Sequence, residues 1–351
     1  MPAADDTPVN LYGLEEEALA GLLAPLDPAR FRSRQVFAWM YGRGVTDPAA
    51  WTDLPKALRT ELAARYAALP PRIASRHSAS DATTKYVIDL PRGGQVEAVA
   101  IPAEDRMTFC ISSQVGCGFG CAFCMTAQLG FTRNLDAGEI VGQVAALVAE
   151  TGTPAGEYNI VFMGMGEPLQ NTENVLAALR ILTHERGFGL GPRRITISTV
   201  GLPKGIRRLA QEAVVPRLAV SLVAADPEVR RSLMPIARSV TLDELADAVL
   251  EFGRGRRDEP TLECVMLDGV NDAPELAHKL AKLARRAGAK VNLIEFNPTP
   301  ALPYRPSPEA RLEYFLRVLS EAGVVGTVRR SRGKDAFAAC GQLAFLRGQQ
   351  P

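Results

Sequence analysis

Residues 107–124 read MTFCISSQVGCGFGCAFC, a short strand pattern that leads into a loop with three cysteines. Apolar and polar residues alternate over 107–112, so we expect Phe109 to face the surrounding helices and Cys110 to face the interior of the fold. A helical pattern follows at 136–150, and the order of strand, loop and helix then repeats along the chain. This order predicts an α/β fold with a parallel sheet.

The repeating pattern extends to residue 321 and has six strands and six helices. The predicted strands are 107–112, 158–163, 194–198, 217–222, 261–266 and 291–296. The predicted helices are 136–150, 171–185, 202–211, 241–252, 273–287 and 308–321. We therefore predict a partial (β/α)6 barrel, similar to a TIM barrel, with its chemistry at the C-terminal ends of the strands.

Two smaller segments precede the barrel. Residues 11–70 have apolar side chains at helical spacing, interrupted by prolines, which predicts a helical N-terminal domain over 1–75. Two strand patterns flank the turn PRGG at 91–94, which predicts a β-hairpin within a connecting segment, 76–105. The barrel domain then spans 106–345.

The composition, 47% hydrophobic and 23% charged over 351 residues, is typical of a folded protein rather than a disordered one. No apolar run is long enough to span a bilayer, so we expect no contact with a membrane. Residues 1–6 are acidic and lack the basic and apolar regions of a secretion signal, so we expect a cytoplasmic protein, by default a monomer. The net charge is +1, but residues 30–80 hold nine basic and three acidic residues. That stretch is either a solvated helix surface or a basic face for nucleic acid.

Cys117, Cys121 and Cys124 have C-x3-C-x2-C spacing in a loop broken by glycines. Three thiolates so close in sequence can bind a four-iron cluster and leave one iron open to substrate. A structural zinc ion would need a fourth ligand, and the remaining thiols are distant in the sequence. We therefore predict an iron–sulfur site.

The other cysteines differ in their surroundings. Cys264 alternates with apolar residues and is predicted to be an ordinary core residue. Cys340 follows the basic stretch 329–334, where positive charge would stabilise a nucleophilic thiolate, although a small buried cysteine before a helix fits the same pattern.

Small polar residues follow the predicted strands at the rim that carries the cysteine loop. The turn MGMGEP at 163–168 has glycines that allow close approach of a ligand, and Glu167 offers a carboxylate for an ammonium group. Ser198 and Ser221 are predicted to face inward, and Asn297 ends the sixth strand.

Together these motifs resemble the radical S-adenosylmethionine superfamily, and within it the RNA adenine-C2 methyltransferases that act on both rRNA and tRNA. The shared motifs are CISSQVGC at 110–117, FCMTAQ at 123–128, GFTRN at 130–134, MGMGEP at 163–168, IST at 197–199, NP at 297–298 and ACGQL at 339–343. The resemblance implies one [4Fe-4S] cluster on Cys117, Cys121 and Cys124, and two molecules of S-adenosyl-L-methionine per turnover. The residues implied to contact that cofactor are Gly166, Glu167, Ser198, Ser221, Leu222, Val223 and Asn297. The family usually has histidine at the position of Val223, so only a backbone contact is expected there.

The resemblance also implies the roles of three catalytic residues. Cys340 would accept a methyl group, a 5′-deoxyadenosyl radical would activate that methyl for addition to C2 of adenine, and Cys110 would release the product through a transient disulfide. Glu97 would deprotonate the adduct. It alternates with apolar residues, so either burial raises its pKa, as a base near neutrality requires, or it is paired with an arginine.

The implied partners are 23S rRNA in the peptidyl-transferase region, some tRNAs at the adenine next to the anticodon, and a flavodoxin-like one-electron donor. The expected RNA contacts are the basic stretches 30–80, 193–194, 204–208 and 329–334. Three alternatives share some of these features: a sister enzyme that methylates C8 of the same rRNA adenine, a radical enzyme with a protein or small-molecule substrate, and a non-catalytic RNA-binding protein with a structural metal.

Overall fold

The computed structural model describes residues 9–343. The acidic start at residues 1–6 and the outer ends of the predicted first and last domains lie outside these residues. A small helical unit leads the described chain, three antiparallel strands follow it, and alternating strands and helices complete it. Within 9–343, no helix is both long enough and apolar enough to cross a membrane.

The N-terminal unit is built from short helices around an apolar core. Its elements are β1 (Val9–Asn10), α1 (Glu16–Leu23), α2 (Phe31–Phe37), α3 (Lys56–Arg65) and β2 (Tyr66–Ala67). Leu19, Val36 and Leu62, one from each helix, are fully buried. The helical spacing of the apolar residues therefore forms a core here, as the sequence predicted.

Three antiparallel strands connect this unit to the barrel: β3 (Arg72–Ser78), β4 (Thr84–Asp89) and β5 (Gln95–Pro102). The predicted hairpin corresponds to β4 and β5. We did not predict β3, because its sequence RIASRHS has no apolar alternation and most of its residues are partly or fully exposed. β5 pairs with the first barrel strand, so these strands extend the barrel sheet.

The remaining strands are β6 (Met107–Cys110), β7 (Gln114–Gly116), β8 (Phe131–Asn134), β9 (Tyr158–Phe162), β10 (Ile195–Thr199), β11 (Arg217–Ser221), β12 (Thr261–Met266), β13 (Lys290–Glu295) and β14 (Gly326–Arg329). The helices among them are α4 (Ala137–Thr151), α5 (Thr172–Thr183), α6 (Pro203–Ala210), α7 (Pro227–Leu233), α8 (Leu242–Gly253), α9 (Pro274–Ala287) and α10 (Glu309–Glu321). The main sheet has ten strands in the order β14-β13-β12-β11-β10-β9-β6-β5-β4-β3. The predicted partial barrel is confirmed, and its six strands and six helices lie within a few residues of their predicted bounds.

Besides the short strands β7 and β8, two elements of this region were not predicted. β14 adds a seventh parallel strand beside β13, in a segment whose arginines hide the strand pattern. α7 lies between β11 and α8 and has only seven residues, too few for a clear helical period.

The chain turns sharply at the C-terminal ends of the strands, where the cysteine loop lies. β7 and β8 form a small antiparallel hairpin whose connection contains that loop. Gly116 in this hairpin has a φ of 76°, and a side chain there would overlap the carbonyl oxygen of Gly130. Only glycine fits this close approach, which fixes where the cysteine loop begins.

Candidate active site

The cysteine loop brings Cys117, Cys121 and Cys124 together at the end of β7. Burial raises the pKa of Cys117 to about 11 and raises the pKa of the other two thiols as well. Negative charge on Cys124 raises the pKa of both Cys117 and Cys121 further. The three thiols therefore interact with one another electrostatically.

The donor set of three thiols fits a four-iron cluster. Within the described residues, no three histidine, cysteine, aspartate or glutamate side chains are arranged to bind one metal ion jointly. An iron–sulfur cube distributes its thiolates over different irons, so its ligands need not converge on a single ion. Metal binding would also displace the protons that burial keeps on these thiols.

Two distant segments support the cysteine loop. The backbone N–H of Ala122 donates to the carbonyl of Leu233 at the end of α7, at 2.9 Å. The N–H of Met125 donates to the carbonyl of Gly341 at 2.8 Å, and Thr126 Oγ1 donates to the carbonyl of Leu343 at 2.6 Å. The segment that contains Cys340 is thus fixed directly to the cysteine loop.

The turn after β9 packs tightly against the segment that follows β6. Gly166 has a φ of 97°, and a Cβ there would lie 2.5 Å from Cβ of Gln114. Glu167 is buried, and its carboxylate accepts hydrogen bonds from Leu169 N, Thr199 Oγ1 and Val200 N at 2.7–2.9 Å. Burial raises the pKa of Glu167 to about 7. The protein thus occupies three of the four acceptor positions of this carboxylate, and its contact with an ammonium group stays a prediction.

Asn297 offers an unsatisfied acceptor in a cavity, called the cleft here, that Gly166 and Glu167 also line. Its Nδ2 donates to the carbonyl of Cys340 at 3.2 Å, while its Oδ1 is buried and has no hydrogen-bond partner in the part of the chain that the structure describes. A buried acceptor without a donor is unfavourable by about 1–3 kcal/mol. A ligand with N–H or O–H donors, such as S-adenosylmethionine, fits this position.

The other residues predicted to contact the cofactor differ in whether they line the cleft. Ser198 and Ser221 line the cleft, whereas Leu222 is fully buried. Val223 lines the cleft with a φ of 65°, an unusual conformation for a β-branched residue. Its N–H donates to the carbonyl of Glu263 at 3.0 Å, and its own carbonyl accepts from the amide of a buried asparagine at 2.9 Å. The backbone of Val223 is therefore fixed within the protein.

Cys340 lies between two cavities. The first is the cleft, which contains Gly166 and Asn297 together with Cys124 of the cysteine loop. The second, called the inner cavity, contains Cys110 and several arginines, and Cys340 lines both. A group carried on this sulfur could therefore be reached from either side.

Cys110 and Cys340 are neighbours, although 229 positions of sequence lie between them. Burial raises the pKa of Cys110 to about 12, with a second contribution from negative charge on Cys340. Both thiols are free in the structure. Cys110 is therefore a neutral thiol close to a second sulfur.

Cys264 is buried in the apolar core, as predicted.

The sequence analysis missed Glu263 and named Arg329 only as part of the basic stretch 329–334, whose positive charge was expected to stabilise a thiolate on Cys340. Arg329 lies 3.7 Å from Glu263, and its Nη1 donates to Sδ of Met163 at 3.2 Å. Thiolate charge on Cys340 raises the pKa of Arg329. The alternation of apolar residues around Cys264 implies that Glu263 faces inward, so the sequence held this signal. Arg329 could not be placed because β14 was not predicted.

Glu97 is buried and paired with a lysine rather than an arginine. Its Oε1 lies 3.0 Å from Nζ of Lys85, and both side chains are about 95% buried. Val99, two residues further along β5, pairs with Cys110. Side chains of alternate residues share one face of a sheet, so Glu97 lies on the same face as Cys110.

Several arginines predicted to contact RNA take part in ion pairs on the protein surface. Arg193 pairs with Asp258, Arg207 with Glu251 and Arg208 with Glu212, at 2.6–2.9 Å. Exposed pairs of this kind are weak, so the arginines can exchange partners. Their contact with RNA stays a prediction.

Comparison with known families matches two parts of the chain. The family described as "Radical SAM superfamily" matches residues 111–284, which include the cysteine loop and most of the barrel. The family described as "Ribosomal RNA large subunit methyltransferase N-terminal domain" matches residues 9–67, which correspond to the helical unit.

Comparison with solved structures finds a radical SAM methyltransferase from Sphaerobacter thermophilus at 43% identity. The alignment covers 96% of this chain and 99% of that chain, with a TM-score of 0.88. A domain of the pyruvate-formate lyase-activating enzyme from Bacteroides vulgatus matches at 15% identity. That alignment covers 49% of this chain and 98% of that chain, with a TM-score of 0.38.

Proposed function

The chain belongs to the radical SAM superfamily and, within it, to the methyltransferases, and from that premise we propose that it methylates C2 of adenine in 23S rRNA and tRNA. Membership implies a [4Fe-4S] cluster and S-adenosylmethionine as cofactors. The observation that carries the proposal is the location of Cys340 between the cleft and the inner cavity, next to Cys110.

Cys340 would accept the methyl group as a thiolate. Arg329 supports this step because its guanidinium interacts with thiolate charge on Cys340. Asn297 holds the carbonyl of Cys340 and so orients the loop on which the sulfur lies. When bound, the cluster supplies the electron that cleaves S-adenosylmethionine and produces the radical that activates the methyl group.

The radical route suits the chemistry of the target atom. C2 of adenine is a poor nucleophile, so direct displacement of a methyl group from a sulfonium would fail there. A second thiol next to the methyl carrier also needs an explanation. Once the adduct has lost a proton and passed its unpaired electron to a one-electron carrier, Cys110 would attack the sulfur of Cys340. An S–S bond would form as the bond from sulfur to the CH2 group breaks, and the released carbon would take up a proton to become the methyl group. An external reductant would then restore the two thiols.

Glu97 would remove the proton from C2 of the adduct. Its carboxylate lies on the face of Cys110 and 3.0 Å from the ammonium group of Lys85. Base flipping would bring the adenine to the inner cavity, where the exposed Arg330 and Arg332 could contact RNA phosphates. A flavodoxin-like donor, a monomeric state and a cytoplasmic location stay predictions.

Peptide mass spectrometry of Cys340 tests the proposal, in protein purified without oxygen and with its cluster intact. We expect one added methylene on this cysteine and none on Cys264, which serves as the internal control. NMR of the methylated nucleoside then identifies the modified carbon. An unmodified Cys340 after incubation with S-adenosylmethionine would contradict the methyl-cysteine route, and a methyl group on C8 would contradict the assignment to C2.

A further inference from the structure

Arg230 is a buried charge that the methylation chemistry does not use. It lies on α7, its exposed fraction is 0%, and it has no carboxylate partner within the described residues. Its Nε donates to the carbonyl of Leu222 at 3.1 Å and its Nη2 to the carbonyl of Val200 at 3.0 Å. Its Nη1 is buried without a partner in residues 9–343. Burial lowers the pKa of Arg230 to about 10, so the guanidinium remains charged near neutrality.

A charge buried in this way needs an anion. Bonds to neutral carbonyls satisfy the donors of a guanidinium but do not neutralise it, and an unpaired buried ion is unfavourable by several kcal/mol. Cys121 of the cysteine loop is buried in the same cluster of side chains as Leu233 of α7, and Cys264 is the other cysteine near Arg230. Cys264 is a core cysteine, so the cysteine loop is the natural source of the anion.

The same short helix holds the cysteine loop in place. The carbonyl of Leu233, at the end of α7, accepts the hydrogen bond from Ala122 N. Gly120 lies against Pro235 just beyond the helix, where an added Cβ would be 3.5 Å from its ring. A charge on α7 is therefore held at a fixed distance from the cysteine loop.

We propose that Arg230 is the counter-ion of the iron–sulfur cluster and raises the potential at which the cluster accepts its electron. A four-iron core with three thiolates carries net negative charge, and one-electron reduction adds more. A nearby fixed positive charge favours the reduced form. In this step a low-potential one-electron donor is oxidised and the cluster is reduced, and no bond is formed and no proton is moved. The inference rests on membership of the superfamily and is independent of whether C2 of adenine is the target.

Redox titration of the anaerobic holoprotein, followed by electron paramagnetic resonance, tests the proposal. The variants are Arg230→Gln, which removes the charge, and Arg230→Lys, which keeps it. Arg231→Gln is the matched control, because Arg231 is the next residue of the helix but is exposed and paired with Glu228. At the midpoint potential of the unmodified protein, we expect the ratio of reduced to oxidised cluster to fall at least tenfold in Arg230→Gln, a shift of about 59 mV to more negative potential. We expect Arg230→Lys and Arg231→Gln to stay within threefold.

A ratio within threefold in Arg230→Gln, at full iron content, would overturn the proposal. If that variant fails to retain iron, Arg230→Lys decides the question, because it keeps the charge but loses the fork of hydrogen bonds. A ratio close to that of the unmodified protein then supports the counter-ion role. A tenfold fall would show that the hydrogen bonds matter rather than the charge, and would overturn it. Neither result depends on RNA methylation, so failure here is distinct from failure of the proposed function.

Discussion

The two cavities beside Cys340 differ in the sign of their charged residues. The cleft is lined by Glu167, Glu263 and Glu295, whereas the inner cavity is lined by three arginines of the segment 329–332. An acidic surface attracts the sulfonium and ammonium groups of S-adenosylmethionine, and a basic one attracts RNA phosphates. One sulfur can therefore meet two reactants of opposite charge, each from its own side.

Removing the shared sulfur tests this comparison most severely. We expect Cys340→Ala to lower RNA methylation at least about 10³-fold, because no other group can carry the methyl between the cavities. Binding of S-adenosylmethionine and of RNA, measured separately, should be retained. Cys264→Ala is the control and should keep its activity. Methylation near the original rate in Cys340→Ala would show that transfer does not pass through this residue.

The pair of Lys85 and Glu97 tests how far the buried carboxylate on the face of Cys110 depends on the ammonium group beside it. We expect Lys85→Met to lower the free energy of unfolding by about 3–5 kcal/mol, because it breaks a buried ion pair by removing one of its two partners. Urea unfolding measures the change. The double variant Lys85→Met/Glu97→Gln should recover most of the loss, and an equal loss in both variants would contradict the electrostatic explanation.

The positive charge of the inner cavity can be reduced without changing the cleft. We expect Arg332→Ala to reduce RNA affinity and to lower the slope of log K against log salt by about 0.7–0.9, the effect of one lost phosphate contact. Affinity for S-adenosylmethionine should stay the same. Arg317→Ala, an exposed arginine on α10, is the control. An unchanged salt dependence in Arg332→Ala would remove this residue from the RNA surface.

Binding of S-adenosylmethionine in the cleft can be changed by substitution at Val223. Histidine tolerates a positive φ better than valine and adds a hydrogen-bonding ring at the cleft. We therefore expect Val223→His to tighten binding of S-adenosylmethionine by at most about tenfold, the value of one net hydrogen bond. Calorimetry on the anaerobic holoprotein measures this. Val223→Asn controls for the backbone effect, and equal tightening there would assign the gain to relief of strain.

The fold was largely predictable because apolar residues alternate regularly along its core strands. In β10, Ile195 and Ile197 are both fully buried, and such alternation can be read directly from sequence. β3 and β14 escaped prediction because they lie at the edges of the sheet, where arginines and serines replace the apolar residues. Edge strands need less burial, so their sequences say less about their conformation.

The site was predictable where chemistry dictates residue type and not where charges pair across the fold. Three cysteines within eight residues are a local signal. The pairing of Arg329 with Glu263 joins positions 66 residues apart, and nothing near either residue indicates the other. Arg230 shows the same limit more strongly, because an arginine in a polar helix pattern predicts exposure, whereas its exposed fraction is 0%.

The bond from Thr126 to the carbonyl of Leu343 joins residues 217 positions apart. At a synthesis rate of 5–20 residues per second, the cysteine loop leaves the ribosome on the order of 10–40 s before its partner. During that interval Met125 and Thr126 lack the acceptors that hold them in the finished protein. The cysteine loop is then held by fewer hydrogen bonds than in the finished protein. The segment that follows the last strand therefore completes the contacts of the cysteine loop only after the rest of the barrel has been made.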